Sequence, residues 1–321
     1  MIGLTGDLLD LKIIGGASHP DLVNGICKHL NITPIATEFG IYPNDNQWVK
    51  IKDNIREHKV FIVQTSYAPV DHFLMQAMML VDAAARASAD RITLVTPYFP
   101  YVRSDKKDEP RIAITASLVC KMLEAAGVYR FLAMDLHSAQ IQGFATVFDN
   151  LYGGSCLCDA VRGLVNDGCV VVAPDIGSAK LNRKLAVRAG IKFAGMFDKE
   201  RVDSYNVNLR LVADPKTIEG KHVFSFDDEI LTGGTGMECA SYLKKQVGAA
   251  SFSLCAFHGI LPGGTVGRIE DSDIDQIIVT NSIPQHHHSS KIIVVDIAPL
   301  LAEAIKRIYL GESLSELFPE D

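Results

Sequence analysis

Asp227 and Asp228 close the apolar run HVFSF and lead through Glu229, Ile230 and Leu231 into the turn Thr232-Gly233-Gly234-Thr235. A strand that turns through T-G-G-T into a helix leaves several N–H groups pointing outward at the helix start. With the helix dipole they form an anion site that needs no basic side chain. Two carboxylates at the strand end can accept hydrogen bonds from vicinal hydroxyls. Phosphate beside a diol describes a ribose phosphate. The plainer alternative is a tight turn with an Asp pair facing water, and Gly-rich turns are common enough to keep it open.

A second stretch, PYFPYVRSDKKDEPR over 97–111, places Arg103, Lys106, Lys107 and Arg111 among Asp105, Asp108 and Glu109. Runs of mixed charge are usually solvated loops. This one follows an apolar strand at its carboxyl end, where open α/β sheets bind ligands. In AMDLHSAQIQGF, His137 follows another such strand, and Asp175 ends a third in VVVAPDIGSAK. A neutral imidazole and a carboxylate, with phosphate oxygens and water, would suit Mg²⁺. A packed histidine and a helix-capping aspartate are the competing readings.

These residues need strands to carry them, and the chain supplies them in series. KVFIVQTS (59–66), RITLVTPYF (91–99), YRFLAMDL (129–136), CVVVAPD (169–175), KHVFSFDD (221–228), ASFSLCAFH (250–258), DQIIVTN (275–281) and KIIVVDI (291–297) are short apolar runs. Their near-continuous apolarity suits buried parallel strands. Helix-length segments at 70–89, 111–126, 177–189, 234–247 and 298–309 lie between them. The order predicts an α/β fold with parallel sheets flanked by helices. A loose internal repeat relates Lys59–Arg103 to Lys221–Gly264, with TSYAP standing where DDEILTGG stands in the second copy. The small-residue stretch YGGSC (152–156) marks the expected boundary between domains 1–153 and 154–321.

Composition narrows the class. With 48% hydrophobic and 21% charged residues the chain has the balance of a globular protein. A net charge of -7 offers no global field for nucleic acid or an acidic membrane. No apolar run approaches the ~18 residues that span a bilayer. The opening MIGLTGDLLD lacks the basic region of a secretory signal. Seven scattered cysteines do not look like a disulfide framework, and a reduced cytoplasmic setting is expected. His286–His288 reads as an exposed polar loop, and the Met/Ala-rich run 74–89 as a packed helix.

From about Leu11 to Phe318 the sequence resembles the ribose-phosphate pyrophosphokinases. YFPYVRSDKKD, MDLHSAQIQGF, VAPDIGSAK, FDKER, DDEILTGGT, VTNSIP and LAEAIKRIYLGESLSELF carry the resemblance. It implies two phosphoribosyltransferase-type domains, with the active site between them and a neighbouring subunit, and dimers assembled into a hexameric homo-oligomer. It implies transfer of the diphosphoryl group of ATP to ribose 5-phosphate with Mg²⁺, giving phosphoribosyl pyrophosphate and AMP.

Carried over by position, Arg103, Ser104, Asp108 and His137 fall at contacts to ATP, and Phe39 at the aromatic that packs on adenine. His137 and Asp175 fall where the family holds Mg²⁺. Asp227 and Asp228 meet the ribose hydroxyls, while Thr232, Gly233, Gly234 and Thr235 cradle the 5-phosphate. Lys199 and Arg201 match the two cations of a mobile catalytic loop.

The chain also departs from the family: Leu231 stands in place of Asp and Ser104 in place of Gln. FGIYPNDNQWVKI after residue 38 lacks the family's glutamate. These departures favour one rival, a non-catalytic paralogue that regulates an active pyrophosphokinase. A phosphoribosyltransferase would keep the cradle, but the first half with its DLH motif argues against it.

Overall fold

The computed structural model describes residue 8 and residues 10–201, 207–287 and 289–317, with the side chains of 199–201, 207 and 208 outside the description. Two compact units divide the chain between Gly153 and Gly154. In the first, strands β1 (Lys12–Gly15), β4 (Lys59–Val63), β5 (Arg91–Val95), β6 (Arg130–Met134) and β7 (Phe148–Leu151) form a sheet in that order, parallel throughout. Helices α1 (Pro20–Leu30), α2 (Val70–Arg86) and α3 (Thr115–Ala126) connect them. Strands β2 (Thr37–Ile41) and β3 (Gln47–Ile51) make a separate antiparallel ribbon. Val60, Ile62, Leu94, Phe131 and Ala133 are buried against Leu80, Val81, Val119 and Leu123 of α2 and α3. Burial on both faces of the sheet is why these strands read as unbroken apolar runs.

The second unit has seven strands: β8 (Cys169–Ala173), β9 (Lys192–Arg201), β10 (Val207–Val212), β11 (His222–Ile230), β12 (Ser251–Gly259), β13 (Gln276–Thr280) and β14 (Ile292–Val295). Their order across the sheet is β10-β9-β8-β11-β12-β13-β14, and only the β9–β10 pairing is antiparallel. Helices α4 (Gly154–Arg162), α5 (Ala179–Ala189), α6 (Gly234–Tyr242) and α7 (Thr265–Glu270) complete it. From β8 the chain builds outward to β9 and β10, then returns to β8's other edge with β11 and builds the opposite way. The order therefore reverses between β8 and β11, and the carboxyl ends of those two strands flank the place where open α/β sheets take ligands. The repeat seen in the sequence is β4–α2–β5 in one unit and β11–α6–β12 in the other, each a parallel pair joined by a helix.

The last helix, α8 (Ala298–Leu310), belongs to the first unit, together with 282–284. The sequence boundaries had placed it in a second domain running to 321. Leu301, Ala302, Ala304 and Ile305 on its inner face are buried, and α8 packs on α1, where a Cβ on Gly25 would come within 2.9 Å of the Ala298 Cβ. Burying a Leu or Ile contributes about 1.5–3 kcal/mol, so this apolar stripe decides where the helix docks. No helix among the described residues is long and apolar enough to cross a membrane.

Candidate functional site

In the second unit the β8–β11 ladder runs from His222↔Cys169 to Phe224↔Val171 and stops. On the other edge, β11 stays paired with β12 as far as Ile230↔Gly259. Two buried side chains take over where the backbones part. The Ser225 hydroxyl donates to the Val172 carbonyl. Asn182 of α5 donates from Nδ2 to the Phe226 carbonyl at 2.7 Å and accepts the Phe226 N–H on Oδ1 at 2.8 Å. Its amide also reaches the Ser178 carbonyl at 3.0 Å.

Asp175, just past β8, accepts the Ser178 N–H on Oδ1 at 2.8 Å and so closes the turn into α5. Asp227 follows Phe226 and is half-buried. Its carboxyl is pushed well above the usual carboxylate range, first by burial, then by the hydrogen bond and charge of Asp228, with a smaller push from Asp175. The Asp228 N–H donates to Asp227 Oδ1 at 3.0 Å, which offsets part of that rise. Three carboxylates thus share one strand-end crevice. Such a group suits hydroxyl donors and a divalent cation that completes its shell with phosphate and water. Among the described residues no set of three or more His, Cys, Asp and Glu is arranged to hold a metal unaided.

Beyond Ile230 the chain turns through Leu231 and Thr232, both exposed, to Gly233 at φ 70°. That left-handed backbone favours glycine and starts α6, whose first turn closes with the Met237 N–H donating to the Gly233 carbonyl at 2.9 Å. Gly236 lies against β12, where a Cβ would come within 2.5 Å of the Leu254 side chain. Close packing of α6 on the sheet thus requires a small residue at 236, and α6 starts from the turn that follows the carboxyl end of β11. Arg268 of α7 donates to the Thr232 carbonyl at 3.4 Å and to Thr265 Oγ1 at 3.2 Å, bracing the turn from behind.

Lys199 and Arg201 lie at the end of β9, in register with Leu209 and Val207 of β10; their side chains, and residues 202–206 of the expected loop, lie outside the described residues.

In the first unit the predicted residues gather at the carboxyl ends of the adjacent strands β5 and β6. Arg103 and Asp108 are exposed on the loop after β5, and His137 is exposed just beyond β6. Asp105, by contrast, is buried, and Gln140 Nε2 donates to its Oδ2 at 2.8 Å, tying the two loops together. Ser104 turns inward: its hydroxyl accepts the Thr115 N–H at 3.1 Å and donates to the Ala113 carbonyl at 3.1 Å. One orphan donor of the α3 start is thereby satisfied; the helix begins at Thr115 and not at 111, where Arg111 has a left-handed φ of 65°. Phe39 is half-buried on β2, packed against the rim of the first unit's core. Trp48 crosses the neighbouring Gly40, and Tyr42 lies 6.5 Å from the Trp48 ring.

Asn182, Ser225 and Arg268 were not legible in advance. An Asn within a helix and an Arg on a short helix read as surface residues, and only tertiary contacts reveal them.

Residues 11–127 match the N-terminal domain of ribose phosphate pyrophosphokinase, and residues 199–319 a phosphoribosyl synthetase-associated domain. The chain is 39% identical over 317 residues to a ribose-phosphate pyrophosphokinase of Rhodopirellula baltica, covering 97% of this chain and 99% of that protein. It is 41% identical over 313 residues to the ribose-phosphate pyrophosphokinase of Chlorobaculum tepidum, covering 96% and 95%. Among solved structures, the phosphoribosylpyrophosphate synthetase of Mycobacterium smegmatis matches with a TM-score of 0.86 at 32% identity, over 94% of this chain and 99% of that one.

Proposed function

The chain belongs to the ribose-phosphate pyrophosphokinase family, and we propose that it transfers the β,γ-diphosphoryl group of ATP to the 1-hydroxyl of ribose 5-phosphate, yielding phosphoribosyl pyrophosphate and AMP. One observation carries the reading: Asp175, Asp227, Asp228 and the Thr232–Thr235 turn meet at the strand-order reversal of the second unit. The sugar hydroxyls would donate to Asp227 and Asp228, and the 5-phosphate would accept from the N–H groups at the start of α6. Arg103, Asp108 and His137 serve ATP, with Phe39 against the base.

Asp175 and His137 are the residues proposed to hold Mg²⁺. When bound, the cation would neutralise phosphate charge and polarise the β-phosphorus towards attack. Lys199 and Arg201 stabilise the charge that develops on the transferring group. Phosphoryl transfer depends chiefly on such positioning and charge stabilisation, and none of these residues stands out as a general base. Assembly of dimers into a hexamer, and a cytoplasmic setting, belong to the same proposal.

The test is AMP formation by the pure protein from ATP, ribose 5-phosphate and Mg²⁺. Stoichiometric AMP and phosphoribosyl pyrophosphate are expected, and no AMP at millimolar substrates defeats the reading. The bonding of Ser104 within its own loop favours the regulatory-paralogue alternative. That alternative predicts no AMP from this chain alone, but a changed rate when it is mixed with an active pyrophosphokinase.

A further inference from the structure

We infer that Asn182 is a positioning residue for the sugar-phosphate site, holding Asp227 in the crevice opposite Asp175 by replacing the ladder that β8 and β11 give up. The argument starts from strand geometry. Residues two apart on a strand turn their N–H and C=O to the same neighbour, so Phe226 is next after Phe224 to face β8. With the ladder ended at Phe224↔Val171, both of its backbone groups would be buried without partners. Asn182, fully buried, satisfies both at 2.7 and 2.8 Å. Only one orientation of its amide serves: Oδ1 to the N–H, and Nδ2 to the carbonyls of Phe226 and Ser178.

The consequence for the site is geometric. Ser178 is the residue whose N–H Asp175 accepts, so one bonded path runs Asp175–Ser178–Asn182–Phe226 and ends beside Asp227. Backbone pairing of β8 and β11 to their tips would close the space between these carboxylates. With nothing between them, the end of β11 would be free to move. An Asn has the length and the donor–acceptor pair to avoid both. The carboxylates then keep a set separation whether or not a ligand is present, so less ordering is needed when the sugar phosphate binds.

The inference rests on the second unit's site binding ribose 5-phosphate, so calorimetric binding of that sugar by the unmodified chain comes first. Its absence at millimolar concentration overturns the site reading and, with it, the role of Asn182. Given binding, Asn182→Ala is expected to weaken ribose 5-phosphate at least tenfold. The KM for ribose 5-phosphate should rise similarly, the KM for ATP should stay within twofold, and hydrogen exchange at the Phe226 amide should quicken. Asn182→Ser, which supplies one bond of the pair, should recover part of the affinity, and it is the variant to read if Asn182→Ala does not fold. Sugar binding within twofold of the unmodified chain overturns the inference while leaving the site reading intact. An equal rise in both KM values, the mark of general loosening, overturns it as well.

Discussion

Gln140 donates from Nε2 to Asp105 Oδ2 at 2.8 Å, joining the loop after β5 to the loop after β6 through a carboxylate that is almost fully buried. The exposed Arg103 and Asp108 flank that anchor, and His137 precedes Gln140 by three residues. A charge-assisted bond of this kind contributes about 1.5–3 kcal/mol, and removing one partner strands the other. Asp105→Ala should therefore raise the KM for ATP about tenfold while moving that for ribose 5-phosphate by less than about twofold, given that ~1.4 kcal/mol is a factor of ten. Steady-state kinetics with each substrate varied in turn decides it, and a uniform rise in both constants would count against the assignment of this edge to ATP.

Asp175 has two separable roles. Its charge is assigned to the metal–nucleotide complex, and its Oδ1 closes the turn at Ser178. Losing such a bond at a helix start costs about 0.5–2 kcal/mol. Asp175→Ala should lower the melting temperature and raise the Mg²⁺ requirement together, whereas Asp175→Asn keeps an acceptor and should show the second effect alone. His137 is exposed, so His137→Ala should leave melting unchanged and raise the Mg²⁺ or ATP requirement. A large melting shift for the histidine variant would return it to a packing role.

Lys199 and Arg201 are assigned to the transition state, so their removal should appear in kcat and kcat/KM together. Each Ala substitution should cost on the order of 10² in kcat, by analogy with losing one preorganised donor to a developing anion. Unchanged kcat in both variants refutes the assignment.

Much of this was legible because both sheets are buried on each face. KVFIV, RITLV, CVVVA and QIIVT read as strands with no packing information, and each is one. Strands β9 and β10 were missed: KFAGMFDKER ends in four charged residues beyond the stretch where β9 pairs with β8, and β10 is an edge strand, which needs no continuous apolar run. The turn into α6 was visible because Gly233 takes a left-handed φ of 70° and Gly236 leaves room for the Leu254 side chain. Asn182 was invisible because a mid-helix Asn is ordinarily a surface residue or a weak point, and its partner at 226 is 44 residues away.

Ligand-free stability should carry the signature of Asp227. Its carboxyl titrates at about 8 in the fold and at ~4 when unfolded, so the native state holds a proton that the unfolded chain has released in between. Stability from this group is present below pH ~4 and is lost as pH rises through about 8, after which it levels off. Asp227→Asn removes the titration. Its melting temperature should match the unmodified protein at pH ~4 and exceed it by a margin that grows as the pH rises towards about 8. Parallel melting curves of the two proteins against pH would show that the pair is not held as described.

Leu231 bears on whether the chain is an enzyme or a regulator. Its side chain is 37% exposed, so a carboxylate placed there stays in water and carries no burial cost. What remains is charge: a carboxylate near the start of α6 is mildly favoured by the helix, by about 0.3–1 kcal/mol, but it competes with the 5-phosphate for the same N–H groups. Leu231→Asp should therefore leave melting unchanged or slightly raised and weaken ribose 5-phosphate about three- to tenfold. The loss should shrink in high salt, since exposed charges are screened over ~10 Å at 0.1 M and ~3 Å at 1 M. In an enzyme adapted to leucine, AMP production falls or holds. In a paralogue silenced by this residue alone, AMP production rises from near zero. A salt-independent loss of affinity would place the effect in the loop's backbone and remove the charge argument altogether.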